Sequence, residues 1–194
     1  MGRRILILDG HPDPDPARYC HALASSYARG AAGIGHIVHR TNLSDLEFPL
    51  LISSRDWEAG PTPDAILTLQ AQIAWAEHIV IVYPLWLGEM PARLKGLLEQ
   101  ALRPAFTSAG EPAAPGNRTL KGRSARIIVT MGMPAMAYRW FYFAHSLRSL
   151  KRNILGLVGI APVRDTIIGA VATRSAASRK RCLEQLRKMG ASAA

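Results

Sequence analysis

The stretch Ile79-Val-Ile-Val-Tyr83-Pro84-Leu85-Trp86-Leu87-Gly88-Glu89-Met90-Pro91-Ala92-Arg93-Leu94-Lys95-Gly96 sets a strand, a loop and the start of a helix in one run. Ile79 to Tyr83 shows no polar alternation, and alternation disappears only when a strand is covered on both faces. Pro91 suits a first helical turn, where its fixed φ is favourable and its missing N–H costs nothing. Leu85, Trp86 and Leu87 fall between strand and helix, at the mouth of a sheet. A flat heteroaromatic ligand suits such a loop, and Trp86 as core filler is the plainer alternative.

The same alternation of short apolar runs and helical stretches recurs on both sides of this segment. Strands are expected at Arg4 to Leu8, Ile34 to Thr41, Ala125 to Thr130 and Val163 to Ile168. Helices are expected at Ala17 to Ala31, Asp64 to Ala76, Ala92 to Leu102, Met136 to Leu157 and Ser175 to Met189. Five repeats of strand then helix imply an α/β, doubly wound, three-layer fold, because parallel strands require right-handed crossovers. Ligands of such folds sit beyond the carboxyl ends of the strands. The loops after the first, third and fourth strands are therefore the ones to read for chemistry.

With 194 residues the chain suits one domain, residues 1–194. The apolar run Ile5 to Leu8 is too short for a signal-peptide core, and no run approaches the roughly 18 apolar residues of a spanning helix, so a cytoplasmic protein is expected. Cys20 and Cys182 form no Cys-x-x-Cys pair, so no metal site is expected. Residues 1–100 carry 8 Lys and Arg against 11 Asp and Glu, whereas residues 101–194 carry 16 against 3. A phosphate-bearing nucleotide, an acidic protein or membrane surface, and a plain solvated face all account for that asymmetry. No nucleic-acid-binding pattern accompanies it. Thr107 to Gly122, rich in Gly, Pro and Ala, reads as a surface loop. Leu46 to Pro63, with Phe48, Leu50, Ile52 and Trp57, is either packed on the domain or kept for a partner.

After the first strand comes Gly10-His11-Pro12-Asp13-Pro14-Asp15-Pro16-Ala17-Arg18-Tyr19-Cys20, which is neither a P-loop nor a Gly-x-Gly-x-x-Gly fingerprint. A turn leading into a helix still offers backbone N–H groups and the positive dipole end to an anion. Arg18 in that first turn makes sense if it faces a phosphate; a proline-stiffened turn capped by His11 is the alternative. After the fourth strand, Thr130-Met131-Gly132-Met133 permits close backbone approach and offers donors to a polar ring edge. The aromatic run from Tyr138 to His145 follows, and helix packing accounts for much of it.

Together these loops resemble the NAD(P)H:quinone oxidoreductase branch of the flavodoxin-like fold, over nearly the whole chain. Tyr83-Pro84-Leu85-Trp86 with Met90-Pro91-Ala92-Arg93-Leu94-Lys95-Gly96 is similar to that family's aromatic-Pro-Leu and Pro-Ala-x-Leu-Lys-Gly motif. His11 with Arg18-Tyr19-Cys20 resembles its histidine and Ser-Phe-Asn phosphate turn. The resemblance implies a sheet of order 2-1-3-4-5 and a bound flavin, FMN or FAD. It places His11, Arg18, Tyr19 and Cys20 around the flavin phosphate, Pro84, Leu85, Trp86 and Leu87 along the ring, and Thr130, Met131, Gly132 and Met133 at its polar edge. Tyr138 and His145 match the family's catalytic tyrosine and histidine.

The chemistry so implied is ping-pong. NADH or NADPH delivers hydride to the flavin and leaves before a quinone or similar small acceptor enters. A homodimer in contact through Tyr138 to Phe143 is also implied. Departures from the family pattern are Cys20 in place of Asn, Met-Gly-Met in place of Thr-Gly-Gly, and His145 one position out of register. Rival readings are an azoreductase or nitroreductase, a flavin-free binding module, and a flavin-binding regulatory or electron-transfer protein acting on a membrane transport partner.

Overall fold

A computed structural model describes residues 2–107 and 119–193 of the chain. Its centre is a five-stranded sheet in the order β2-β1-β3-β4-β5, made of β1 (Arg4–Asp9), β2 (Ile37–Asn42), β3 (His78–Pro84), β4 (Ser124–Thr130) and β5 (Val163–Ile168). Every strand pairing is parallel. β3 is buried at every residue, as its unbroken apolar run requires.

In chain order the helices are α1 (Tyr19–Ala32), α2 (Ser54–Ala59), α3 (Asp64–Trp75), α4 (Ala92–Ala101), α5 (Pro104–Thr107), α6 (Ala135–Trp140), α7 (His145–Ser149) and α8 (Ala176–Ser192). One face of the sheet carries α1 and α8 over Ile5, Ile7, Val80, Val82 and Ile128. The other carries α3, α4 and the α6–α7 segment over Leu6, Leu8, Ile79, Ile81, Ile127 and Val129. The period-two alternation of β1 thus divides its apolar side chains between two cores.

Two boundaries depart from expectation. β2 starts at Ile37 because Ile34 and Gly35 belong to the turn that closes α1, with Gly35 at φ +87°. The helix expected over Met136 to Leu157 is broken: α6 ends at Trp140, Phe143 and Ala144 take left-handed φ values of 53° and 49°, and α7 continues as a π-helical turn over Leu150–Leu155. That break turns Trp140, Phe141, Tyr142 and Phe143 outward, all at least half exposed or nearly so. Of the loop expected at Thr107 to Gly122, residues 108–118 lie outside the described residues.

The 46–63 segment divides between the two readings. Leu46 and Phe48 pack against the core, and the backbone is stapled by Gln100 of α4, donating to the Pro49 carbonyl, and by the buried Arg103 just beyond α4, donating to the carbonyls of Asp56, Gly60 and Pro61. Ile52 is left exposed.

Two glycines set the spacing of α1 and α8. A Cβ on Gly30 would fall inside the Arg187 carbonyl, and one on Gly190 inside that of Tyr27. Gly30→Ala is expected to force the helices apart and cost at least about 2 kcal/mol, since rigid backbone cannot yield as a side chain would; urea denaturation measures it. A second prediction comes from His78, buried at the start of β3 between the Tyr27 hydroxyl at 3.1 Å and Ser124 Oγ at 2.8 Å. Burial pushes its pKa down to about 4. The unfolded chain then binds the extra proton, so stability present near pH 7 is lost as pH falls through about 6.5 toward 4, by up to roughly 3 kcal/mol. Thermal unfolding at pH 7 and pH 5 should show that loss in the native chain and less of it in His78→Gln.

Candidate active site

Because β1, β3 and β4 run in parallel, their carboxyl ends lie along one edge of the sheet, and the three loops that follow them meet there. The contacts are direct. Leu85 N–H donates to the Thr130 carbonyl at 2.7 Å, joining the second loop to the third. Cys20 Sγ lies 3.4 Å from Thr130 Oγ1, joining the first to the third. The His11 ring stands edge-on to Trp86 with centroids 5.8 Å apart, joining the first to the second.

The loop after β3 closes on itself as a two-residue turn, with reciprocal bonds of 2.8 and 2.9 Å between the backbones of Trp86 and Glu89. Leu87 and Gly88 both lie at positive φ, 48° and 81°. Such a turn favours glycine or asparagine, and a leucine held there carries backbone strain of the kind found at ligand sites. Leu87 is fully exposed and Trp86 half exposed, whereas Pro84 is buried and Leu85 partly so. The strained turn therefore presents two large apolar side chains above the sheet edge.

After β4, Met131 turns into the core and donates its N–H to the Ile168 carbonyl at 3.0 Å. Met133 accepts from Ala170 N at 2.9 Å. Gly132, exposed between them, would project a Cβ into open space, so a ligand could lie against its backbone.

The first loop differs most from expectation. Its amides do not wait for an anion: His11 N–H donates to Asp9 Oδ1, Asp13 N–H to His11 Nδ1, Asp15 N–H to Asp13 Oδ1, Ala17 N–H to Asp15 Oδ1 and Arg18 N–H to the Asp15 carbonyl. Residues 12, 14 and 16 are prolines and have none. The amides left at the start of α1 are those of Tyr19 and Cys20. Arg18 is shared between Asp13 Oδ2 at 2.7 Å and Asp15 Oδ2 at 3.3 Å instead of standing open to a phosphate.

His11 is buried, and burial, with the neighbouring His21, holds its pKa below the ordinary histidine range. Its Nδ1 accepts from Asp13, so the neutral ring carries its proton on Nε2 as a remaining donor. Burial pushes the Cys20 thiol up to about 12, and Tyr19, partly buried against Cys182, is likewise raised to about 12.

Tyr138 corrects the expectation of a hydroxyl laid over a ring. It is 2% exposed within the main core, and its hydroxyl accepts the Leu147 N–H at 3.2 Å, pinning the start of α7. His145, the first residue of α7, is exposed, and the ring beside it is Phe143, 6.0 Å away. Sequence reasoning missed Asp9, His21 and Arg40, which tie the first loop to the sheet. Asp9 closing an apolar strand was the one available signal, since a carboxylate at the end of a buried run needs a partner.

These loops, with the order and direction of the strands, define the class: a doubly wound flavodoxin-like α/β protein with its cleft at the β1–β3–β4 edge. The chain belongs to the flavodoxin-like fold family, whose model matches residues 3–189. It is 26% identical to an uncharacterized NAD(P)H oxidoreductase of Haemophilus influenzae, over 92% of this chain and 90% of that protein. A ribosyldihydronicotinamide dehydrogenase-like protein of Penicillium crustosum is also 26% identical over 66% of this chain, which spans just 57% of that longer protein. Among solved structures, an NAD(P)H:quinone oxidoreductase from Methanothermobacter marburgensis superposes with a TM-score of 0.79 at 22% identity, covering 98% of this chain and 96% of that one. An FMN-dependent NADH-azoreductase from Bacillus anthracis, solved with FMN, gives 0.72 at 14% identity with 98% coverage of both.

The two cysteines should differ sharply in reactivity. Cys20 is sealed between the first and third loops, whereas Cys182 is partly exposed beside the Arg174 guanidinium at 3.3 Å. In the folded protein Ellman's reagent is expected to titrate one thiol, and Cys182→Ser should abolish that reaction.

Proposed function

We propose that residues 1–194 form a single flavin-binding oxidoreductase domain that takes electrons from NADH or NADPH and passes them to a small quinone-like acceptor. The observation that carries this reading is the direct linkage of the three loops, His11 to Trp86, Cys20 to Thr130 and Leu85 to Thr130, around one edge of the sheet. The names of the relatives and of the solved structures that superpose support the same chemistry.

The residues fit a flavin. The Tyr19 and Cys20 amides and His11 Nε2–H would hold its phosphate, Leu85, Trp86 and Leu87 would pack along its ring, and the open backbone at Gly132 with Thr130 would meet its polar edge. When bound, a flavin supplies the capacity to take up a hydride equivalent and release two electrons. The protein's part is to orient flat reactants, exclude water from one side and supply donors to developing negative charge. The apolar pair Trp86 and Leu87 would exclude water from the ring. His11, neutral with its proton on Nε2, would donate without adding a charge of its own.

His145 is the group we assign to proton delivery to the acceptor, and Tyr138 acts behind it by fixing α7 through the Leu147 amide. Trp140, Phe141, Tyr142 and Phe143, turned outward by the break before α7, form the surface we assign to a second copy of the chain. One cleft serving two flat reactants in turn leads to ping-pong kinetics.

The purified protein is expected to carry or take up FMN or FAD. Anaerobic NADH or NADPH should bleach the flavin band near ~450 nm; a bound flavin that neither nucleotide bleaches would overturn the oxidoreductase reading. With a quinone as second substrate, double-reciprocal plots should be parallel. Trp86→Ala is expected to lower kcat/KM about tenfold or more through lost ring positioning, while leaving the fold intact because the side chain is half exposed.

A further inference from the structure

Among the described residues, Asp9 is the one acidic side chain entirely removed from solvent. Its Oδ2 accepts from His21 Nδ1 at 2.6 Å and from an Arg40 guanidinium nitrogen at 2.7 Å, and its Oδ1 from the His11 amide at 3.3 Å. The other ring nitrogen of His21 lies 2.9 Å from the Asp13 carbonyl. Both partners of His21 are acceptors, and only the imidazolium can donate to both at once.

Arg40 completes a closed network, donating also to Asn42 Oδ1 at 2.8 Å and Ser25 Oγ at 2.7 Å, while Ser25 Oγ–H donates to the His21 carbonyl at 2.7 Å. β1, β2, the first loop and the first turns of α1 are thereby joined through one buried carboxylate. With His21 protonated, Asp9 faces two cations, and the cluster at the first turns of α1 carries one net positive charge. Arg18, by contrast, is outnumbered by Asp13 and Asp15.

We propose that His21 is the positioning residue of the flavin-phosphate site, holding the first loop closed through Asp9 and Asp13, and that with Arg40 it supplies the positive charge the phosphate meets, so that phosphate binding is linked to the proton on His21. This rests on the flavin reading above. Loss of that proton breaks one of two contacts. Either the Asp13 carbonyl is released, loosening the series of turns that spends the loop's amides, or Asp9 is left with Arg40 alone and the net positive charge disappears.

The charged and titratable groups around His21 come from every neighbouring element. Asp9 faces it from β1, His11 and Asp13 from the loop, with the His11 ring centroid 5.5 Å away, and Arg40 from β2. Across a cavity of about 410 Å³, Arg29 of α1 and Asp45 of the turn after β2 share the same wall. Burial and the neighbouring His21 hold the His11 pKa below the ordinary histidine range, so its own response falls at lower pH than that of an unperturbed histidine.

The test compares FMN with riboflavin, which lacks the phosphate, by quenching of flavin fluorescence between about pH 5 and pH 9. In the wild-type chain the preference for FMN over riboflavin should shrink as pH rises. His21→Gln can donate one hydrogen bond and cannot charge, so it should reduce that preference about tenfold at low pH and flatten its pH dependence, with riboflavin affinity unchanged. Arg18→Gln should change the preference less than about threefold and keep the wild-type profile. Should His21→Gln fail to fold, Arg40→Gln should lower the preference for FMN at every pH while keeping its pH dependence, and an unchanged preference overturns the inference. The inference is overturned if His21→Gln keeps the wild-type preference and profile, or loses FMN and riboflavin equally. A wild-type chain that binds neither compound overturns the flavin reading itself, a result distinct from both.

Discussion

Parallel pairing is the constraint from which the rest of the molecule follows. Strands that run in one direction end at one edge, and each must return through a helix laid across a face. β3, buried throughout and flanked by β1 and β4, therefore brings together the loops that follow Asp9, Pro84 and Thr130, far apart in sequence. The joining bonds are few: Leu85 to the Thr130 carbonyl, Cys20 to Thr130, and the edge contact of His11 with Trp86. The first of these follows from the register of β3 on β4, which sets Pro84 directly opposite Thr130. The third loop is braced from β5 as well, through Met131 to Ile168 and Ala170 to Met133. The cleft is thus built on strand ends, with short loops that have little freedom of their own.

Charge within the cleft is arranged in two tiers. Near the surface, Asp13 and Asp15 hold Arg18, an exposed arrangement that contributes little to stability and takes the arginine out of direct anion binding. Beneath it, Asp9 is buried against the Arg40 guanidinium and the His21 ring, the kind of group that is costly to leave unpaired and hence fixed in place by its partners. The amides of the proline-rich loop are consumed by aspartate and histidine side chains, leaving a rigid turn whose anion-facing donors are confined to the first residues of α1. Rigidity of this sort lowers the cost of binding at such a turn, because ordering costs are met on folding and not on binding.

The fold was legible because its signals are local. The unbroken apolar run of β3, the proline opening α4 and the spacing of five strands each follow from residues adjacent in sequence, and the loops were placed correctly for the same reason. Leu87 and Gly88 were read as part of a ring-facing loop, although the strained turn they form was not. What escaped were partners brought together by pairing of distant strands. Arg18 was read as facing a phosphate because nothing local assigns it to Asp13 and Asp15, and Tyr138 was given its catalytic role by resemblance, since nothing in an aromatic run distinguishes a core ring from an exposed one.

The alternation of strands and helices, the doubly wound class and the loops that line the cleft were determined by the sequence itself, since hydrophobic periodicity and turn chemistry act over a few residues; the strand order followed from the family resemblance and is set by tertiary pairing. The protonation and charge of the site were decided by the tertiary structure alone. Asp9, His21 and Arg40 lie on three separate elements, and whether a carboxylate is buried, and which cations reach it, depends on side chains that meet only when β1, β2 and α1 are packed together.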